Sequence, residues 1–321
     1  MTTSDARVAA AALSEEAVSY HDMLRGMKEQ YADADGSIEE TRAAGEGLGQ
    51  LAAPLDPATK VEPVDAGGVP ALRVSPPGAG SATVLYLHGG GYAMCSAASH
   101  SRVAGHLAAR LGASALVVDY RLAPENIHPA QVEDCLTAYR WLLENGATAA
   151  DTVFAGESAG GALVVSTQLL ALRRGLPVPA AAAAMSPWVD LESTGESFLT
   201  NAEYDLATTS EGQSAFASMF VGEGGDLRDA LAAPLHADLT GLAPLIVQVG
   251  GDEALLSDAE RLAARARAAH VPVELDVVPS MQHMFQLWAG VMPEANDALD
   301  RVAAFLRIRL PQSTGSATQE R

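Results

Sequence analysis

Apolar and polar positions follow two alternating periods along most of the chain. "ATVLYLH" (82–88) is a continuous apolar run of buried-strand length, "HSRVAGHLAARLG" (100–112) is helical and stops at Gly112, and "SALVVDY" (114–120) is again a strand. In Gln131–Glu144, the residues Val132, Cys135, Leu136, Tyr139, Leu142 and Leu143 fall on one helical face, closed by Asn145-Gly146. "TVFAG" (152–156) predicts a strand, 159–173 a helix and "AAAAAMS" (180–186) a strand. Residues 190–230 break the rhythm with a long insertion holding weak helices around 211–221. It resumes with strand "PLIVQVG" (244–250), helix 258–269, strand "VELDVV" (273–278) and helix 294–308. Upstream, 5–32 reads as a helix anchored by Val8, Leu13, Val18, Met23, Leu24, Met27 and Tyr31, and 33–59 as a connection with a short helix. "VEPVDAGGVPALRV" (61–74) reads as two short strands joined at Ala66-Gly67-Gly68.

Buried apolar strands alternating with amphipathic helices predict an α/β fold with a mostly parallel sheet covered on both faces. Sites in such sheets form at the carboxyl ends of the strands.

Composition narrows the partners. With 48% hydrophobic and 19% charged residues, the 321-residue chain is expected to fold. Its 40 acidic against 20 basic residues give a net charge of −20, which repels nucleic acid and anionic membranes. Neither is expected as a partner. Cys135 falls on an apolar helix face, so a buried free thiol is favoured over a disulfide with Cys95. There is no Cys-x-x-Cys or His-Glu-x-x-His spacing, so no metal is expected. The first twenty residues lack the basic start and apolar core of a signal peptide, and the strongly apolar stretch Val178–Met185 is too short to span a bilayer. A soluble, cytoplasmic protein is the expectation.

Four features bear chemistry. Gly156-Glu157-Ser158-Ala159-Gly160 fits G-x-S-x-G between a strand and a helix, where a sharp turn projects the serine oxygen. His88-Gly89-Gly90-Gly91 follows a strand; its glycine N–H groups, with that of Ala159, could hold a developing oxyanion. Two of the three glycines are expected to donate, with His88 organising the loop. In "LIVQVGGDEALLSD", Asp252 lies just past a strand's end and is the preferred acid, with Glu253 and Asp258 as fallbacks. Asp258 reads better as a helix N-terminal residue facing the macrodipole. Of eight histidines, only His283 follows Asp252 by one strand–helix–strand unit. The order Ser158, Asp252, His283 is the one this arrangement requires.

Together with "DYRLAPE", "SPWVDL" and "MQHMFQ", these motifs make residues 60–310 resemble the hormone-sensitive-lipase-like bacterial carboxylesterases of the α/β-hydrolase superfamily. Glu157 stands where aspartate is frequent in that elbow. The resemblance implies an N-terminal cap over 1–55 and a catalytic domain over 56–310 with a cap insertion at about 190–230, while the polar composition of 311–321 predicts a disordered tail. It also places Met23, Met27, Phe198, Phe216, Met219 and Phe220 as acyl-pocket candidates, although Met and Phe at helical spacing are more often core. It suggests a homodimer. Arg121 is expected to pair with Glu125 or Asp134, and Trp188 to wall the pocket or pack in the core. The function expected is hydrolysis of short- to medium-chain acyl esters or lactones by a Ser-His-Asp triad, with no cofactor. An amidase or deacetylase would use the same groups. A non-catalytic ligand binder of this fold is disfavoured by the retained His283.

Overall fold

The structure, a computed structural model, describes residues 13–31 and 37–311. The expected anchor Val8 and the tail beyond residue 311 lie outside them. Eight strands form one sheet: β1 (Lys60–Asp65), β2 (Pro70–Ser75), β3 (Thr83–Leu87), β4 (Ser114–Val118), β5 (Thr152–Glu157), β6 (Ala181–Met185), β7 (Leu245–Gly250) and β8 (Val273–Val278). Their order is β1-β2-β4-β3-β5-β6-β7-β8. The pairs β1–β2 and β2–β4 are antiparallel and the rest parallel. The helices are α1 (Glu15–Tyr31), α2 (Ile38–Gly47), α3 (Ala97–Leu111), α4 (Ala130–Glu144), α5 (Ala159–Arg173), α6 (Ser197–Thr200), α7 (Ser210–Val221), α8 (Leu256–Ala268) and α9 (Pro293–Arg307).

The strand period of two sorts the core into two layers. Leu85, Leu87, Leu116 and Phe154 face α4, α5 and α8, while Val84, Tyr86, Val117 and Val153 face α3 and α9. All residues of β3, β5, β6 and β7 are buried, as continuous apolar runs require when both faces are covered. Each large side chain so buried contributes about 1.5–3 kcal/mol. Helix α3 ends at Gly112, whose φ of 63° closes it in the left-handed region. Cys95 and Cys135 are buried free thiols. No helix among the described residues is long and apolar enough to cross a membrane.

At helix α1 the expected anchors Leu13, Met23 and Leu24 pack inward, but Val18 is exposed and Ala17 and Tyr20 are buried in its place. Ala17, Tyr20 and Leu24, spaced i, i+3, i+7, pack on Val278, Met281, Phe285 and Met292. Ser14 Oγ accepts the Ala17 N–H and caps this helix. The Met27 side chain lies outside the described residues. The insertion runs between β6 and β7 and carries α6 and α7.

Candidate active site

The elbow is built as the motif requires. Strand β5 ends at Glu157, α5 starts at Ala159, and Ser158 between them has φ 57° and ψ −123°. Such a conformation costs a non-glycine residue about 1–3 kcal/mol and persists only where its surroundings hold it. Here Ser158 N–H donates to the Met185 carbonyl at 2.9 Å, and the Ser158 carbonyl accepts from Ala162 and Trp188 at 3.1 Å each. A Cβ at Gly160 would run into the Leu87 carbonyl, so β3 and the elbow can approach only over glycine.

His283, in the loop after β8, sets Nε2 2.9 Å from Ser158 Oγ. Its Nδ1 lies 2.9 Å from Glu253 Oε2. The acid beside the imidazole is therefore Glu253, not the preferred Asp252. The turn after β7 explains the exchange: Gly250 N–H and Ser186 Oγ, the latter at 2.6 Å, both donate to Glu253 Oε1. These bonds fold the longer side chain back under the turn and bury it fully. Asp252 instead donates its N–H to the Met281 carbonyl at 3.2 Å. Burial pulls the His283 pKa down. The Glu253 hydrogen bond and charge, with the charges of Asp205 and Glu157, outweigh burial and leave it raised.

The glycine loop yields a second correction. Gly89 N–H donates to Glu157 Oε1, so Gly89 leaves the set of available oxyanion donors. Gly90, Gly91 and Ala159 remain. Glu157 is fully buried, accepts Tyr86 Oη at 2.6 Å through Oε2, and has His100 Nε2 2.9 Å from Oε1. His88 stacks on Tyr120 with ring centroids 4.1 Å apart and places Nδ1 2.7 Å from the Gly89 carbonyl. Burial, then the neighbouring His100, lowers its pKa to about 3, which suits a neutral organiser and not a base.

Other candidates resolve locally. Arg121 forks onto Asp134, while Glu125 pairs with Arg42. Trp188 is wholly buried and donates Nε1 to the Asp190 carbonyl. Phe198 and Phe220 sit in the core, Phe220 stacked on Tyr92. The Phe216 ring, by contrast, lies where a Cβ on Gly91 would fall. Asp258 does more than face a helix dipole: it accepts the N–H groups of Val189 and Asp190 at 2.9 and 3.0 Å. Asp190, Glu192 and His236 bring three potential ligand atoms within 4.8 Å, but Asp190 is paired with Arg261.

The sequence reading missed three residues at this site. His100 had no flanking motif. Tyr20 donates its hydroxyl to the His283 carbonyl at 2.6 Å, and its i, i+3 spacing with Ala17 was the available signal. Asp205 reaches the Glu253 turn from the insertion.

Residues 84–287 match the α/β hydrolase fold family. The chain is 42% identical to an acetyl-hydrolase of Streptomyces hygroscopicus, over 70% of this chain and 75% of that protein. It is 30% identical to an esterase of Acinetobacter venetianus, over 78% of this chain and 83% of that one. A solved esterase of the bacterial hormone-sensitive lipase family superposes with a TM-score of 0.89 at 41% identity, covering 94% of this chain and all of that one. The elbow, the glycine loop and this kinship lead to one conclusion: the chain belongs to the α/β-hydrolase family, in its hormone-sensitive-lipase-like branch, and is a carboxylic ester hydrolase.

Proposed function

We propose that Ser158, His283 and Glu253 form a nucleophile–base–acid triad that hydrolyses short- to medium-chain acyl esters through an acyl-enzyme. The observation that carries this reading is the relay from Ser158 Oγ through His283 to buried Glu253, with both contacts at 2.9 Å. His283 Nε2 takes the Ser158 proton as Oγ attacks the ester carbonyl carbon. Glu253 holds the imidazole orientation and stabilises the imidazolium. The N–H groups of Gly90, Gly91 and Ala159 are the donors for the oxyanion. The intermediate collapses by breaking the bond to the alcohol oxygen, which His283 protonates. Water, deprotonated by the same nitrogen, then releases the acid and restores Ser158.

The acetyl-hydrolase relative supports the short end of the acyl range, and the Phe216 ring against Gly91 narrows the space over the glycine loop. A lactone ring is an ester open to the same chemistry. In this reading α1, α2 and the insertion cap the carboxyl ends of the strands. The free thiols fit a reducing, cytoplasmic setting.

The test is hydrolysis of p-nitrophenyl esters from acetate to palmitate, with matched anilides, by wild type and Ser158→Ala. Ester cleavage that declines beyond medium chains and disappears in Ser158→Ala is expected. Equal activity in both proteins overturns the triad, and anilide cleavage at comparable rates makes the enzyme an amidase.

A further inference from the structure

The triad reading leaves a buried carboxylate beside the site without a role. Asp205 is fully buried on the insertion, after α6. Its Oδ1 accepts the N–H groups of Ala207 and Thr208 at 2.8 and 2.7 Å, an ordinary local turn. Its Oδ2 points out of that turn and accepts the Ala254 N–H at 2.6 Å, one residue past Glu253. Asn201, four residues earlier, donates Nδ2 to the carbonyls of Gly251 and Glu253 at 3.2 and 2.8 Å. The same segment grips the other loop. Leu206 N–H donates to Gln282 Oε1 at 2.8 Å, and Gln282 Nε2 donates to the Tyr204 carbonyl at 3.0 Å. Gln282 precedes His283. Lys28 Nζ on α1 donates to the Asp205 carbonyl at 2.8 Å.

We propose that Asp205 is a positioning residue of the hydrolytic site, fixing the Glu253 turn against the His283 loop and adding a second negative charge behind the imidazole. The proposal rests on the triad reading. Residues 201–206 bond to both loops, so a small shift there moves acid and base relative to each other. A carboxylate is required because three N–H groups, those of Thr208 and Ala254 buried, converge on it. Asparagine would serve the local turn with its oxygen and turn an NH2 group toward the Ala254 N–H.

Among the described residues, the groups with charge, or an ionisable proton, around His283 are Glu253 from the β7 turn, Glu157 and Ser158 from the elbow, Asp205 from the insertion and Tyr20 from α1. Burial and the charges of Glu253 and Asp205 raise the Tyr20 pKa well above its ordinary value, so it stays a neutral donor. Asp205 favours the imidazolium that forms as Ser158 loses its proton. Removing its charge lowers the His283 pKa and moves the acid limb of kcat/KM to lower pH.

The experiment compares wild type, Asp205→Asn, Asp205→Ser and Ser158→Ala, each checked for folding by circular dichroism and thermal melting. Kinetics on p-nitrophenyl butyrate run from pH 5 to 9. A fall in kcat of about 10- to 100-fold is expected in either Asp205 variant, with KM within about twofold. The acid limb is expected to move down by about half a pH unit. The acid limb decides, because a merely structural role leaves it in place. A folded Asp205 variant with an unmoved acid limb overturns the proposal. Failure of both variants to fold also overturns it, by making Asp205 a folding residue. An active Ser158→Ala removes the triad reading instead. An inactive Ser158→Ala beside an unshifted Asp205 variant removes this proposal alone.

Discussion

Gly89 N–H donates to the Glu157 carboxylate, joining the oxyanion loop to the residue just before the nucleophile. The junction is buried and shared with Tyr86 and His100, so the loop and the elbow move as one body. Glu157→Gln keeps the shape but puts an NH2 group against either the Gly89 N–H or the Tyr86 hydroxyl. Losing one oxyanion donor typically costs 10²- to 10³-fold in kcat, and displacing the loop is expected to cost at least about tenfold. KM is expected to stay within about threefold. Steady-state kinetics on a p-nitrophenyl ester check this; an unchanged kcat would mean the loop holds its shape without Glu157.

The two adjacent acids after β7 are separable. Glu253→Gln is expected to lower kcat by about 10³- to 10⁴-fold, the range for loss of a triad acid. Asp252→Asn is expected to retain activity within a few-fold, because the carboxylate at His283 Nδ1 is that of Glu253. Measuring both variants at the wild-type pH optimum is decisive. The reverse ranking would reinstate Asp252.

A pH profile reads the charge around His283. Only the neutral imidazole can take the Ser158 proton, so kcat/KM rises as His283 deprotonates. Burial lowers its pKa, but Glu253, Asp205 and Glu157 more than offset that, so the acid limb is expected above the ordinary histidine value of about 6.5. In Glu253→Gln, burial is less opposed and the limb of the residual activity moves down. A wild-type limb below 6.5 would mean that burial dominates.

The order of elements and the meeting of Ser158 with His283 were legible because they rest on local patterns: apolar runs, glycine turns and chain order. The acid was less legible. Asp252 and Glu253 differ by one position, and the choice is made by Ser186 and Gly250, 67 and three residues from Glu253. Gly89 looked like a donor because glycine spacing shows which N–H groups are uncrowded, not which are already engaged. Tyr20, Asp205 and His100 act through contacts 263, 49 and 57 residues away, on His283, Ala254 and Glu157. No periodic signal encodes such contacts. Val18 shows the same limit on a helix: an apolar residue on α1 is left exposed while Ala17 beside it is buried.

Asp258 makes a prediction about stability. It lies fully buried in the first turn of α8, and its Oδ2 holds the Val189 and Asp190 N–H groups where the chain enters the insertion. Its Oδ1 has no hydrogen-bond partner among the described residues. Burial first, then the charge of Asp190, raises its pKa to about 7, against the opposing pull of the two N–H donors. The folded pKa is thus above the unfolded value of about 3.9. Its contribution to stability is fully present below the unfolded pKa and is lost as pH rises towards 7, because the unfolded chain releases the proton first. Asp258→Asn preserves an oxygen for the two N–H groups and cannot ionise. Urea unfolding of both proteins from pH 4 to 8 is expected to show wild type losing stability relative to Asp258→Asn as pH rises, with the difference levelling above about pH 7. Curves that stay parallel would mean that Asp258 ionises in the folded protein as readily as in the unfolded chain.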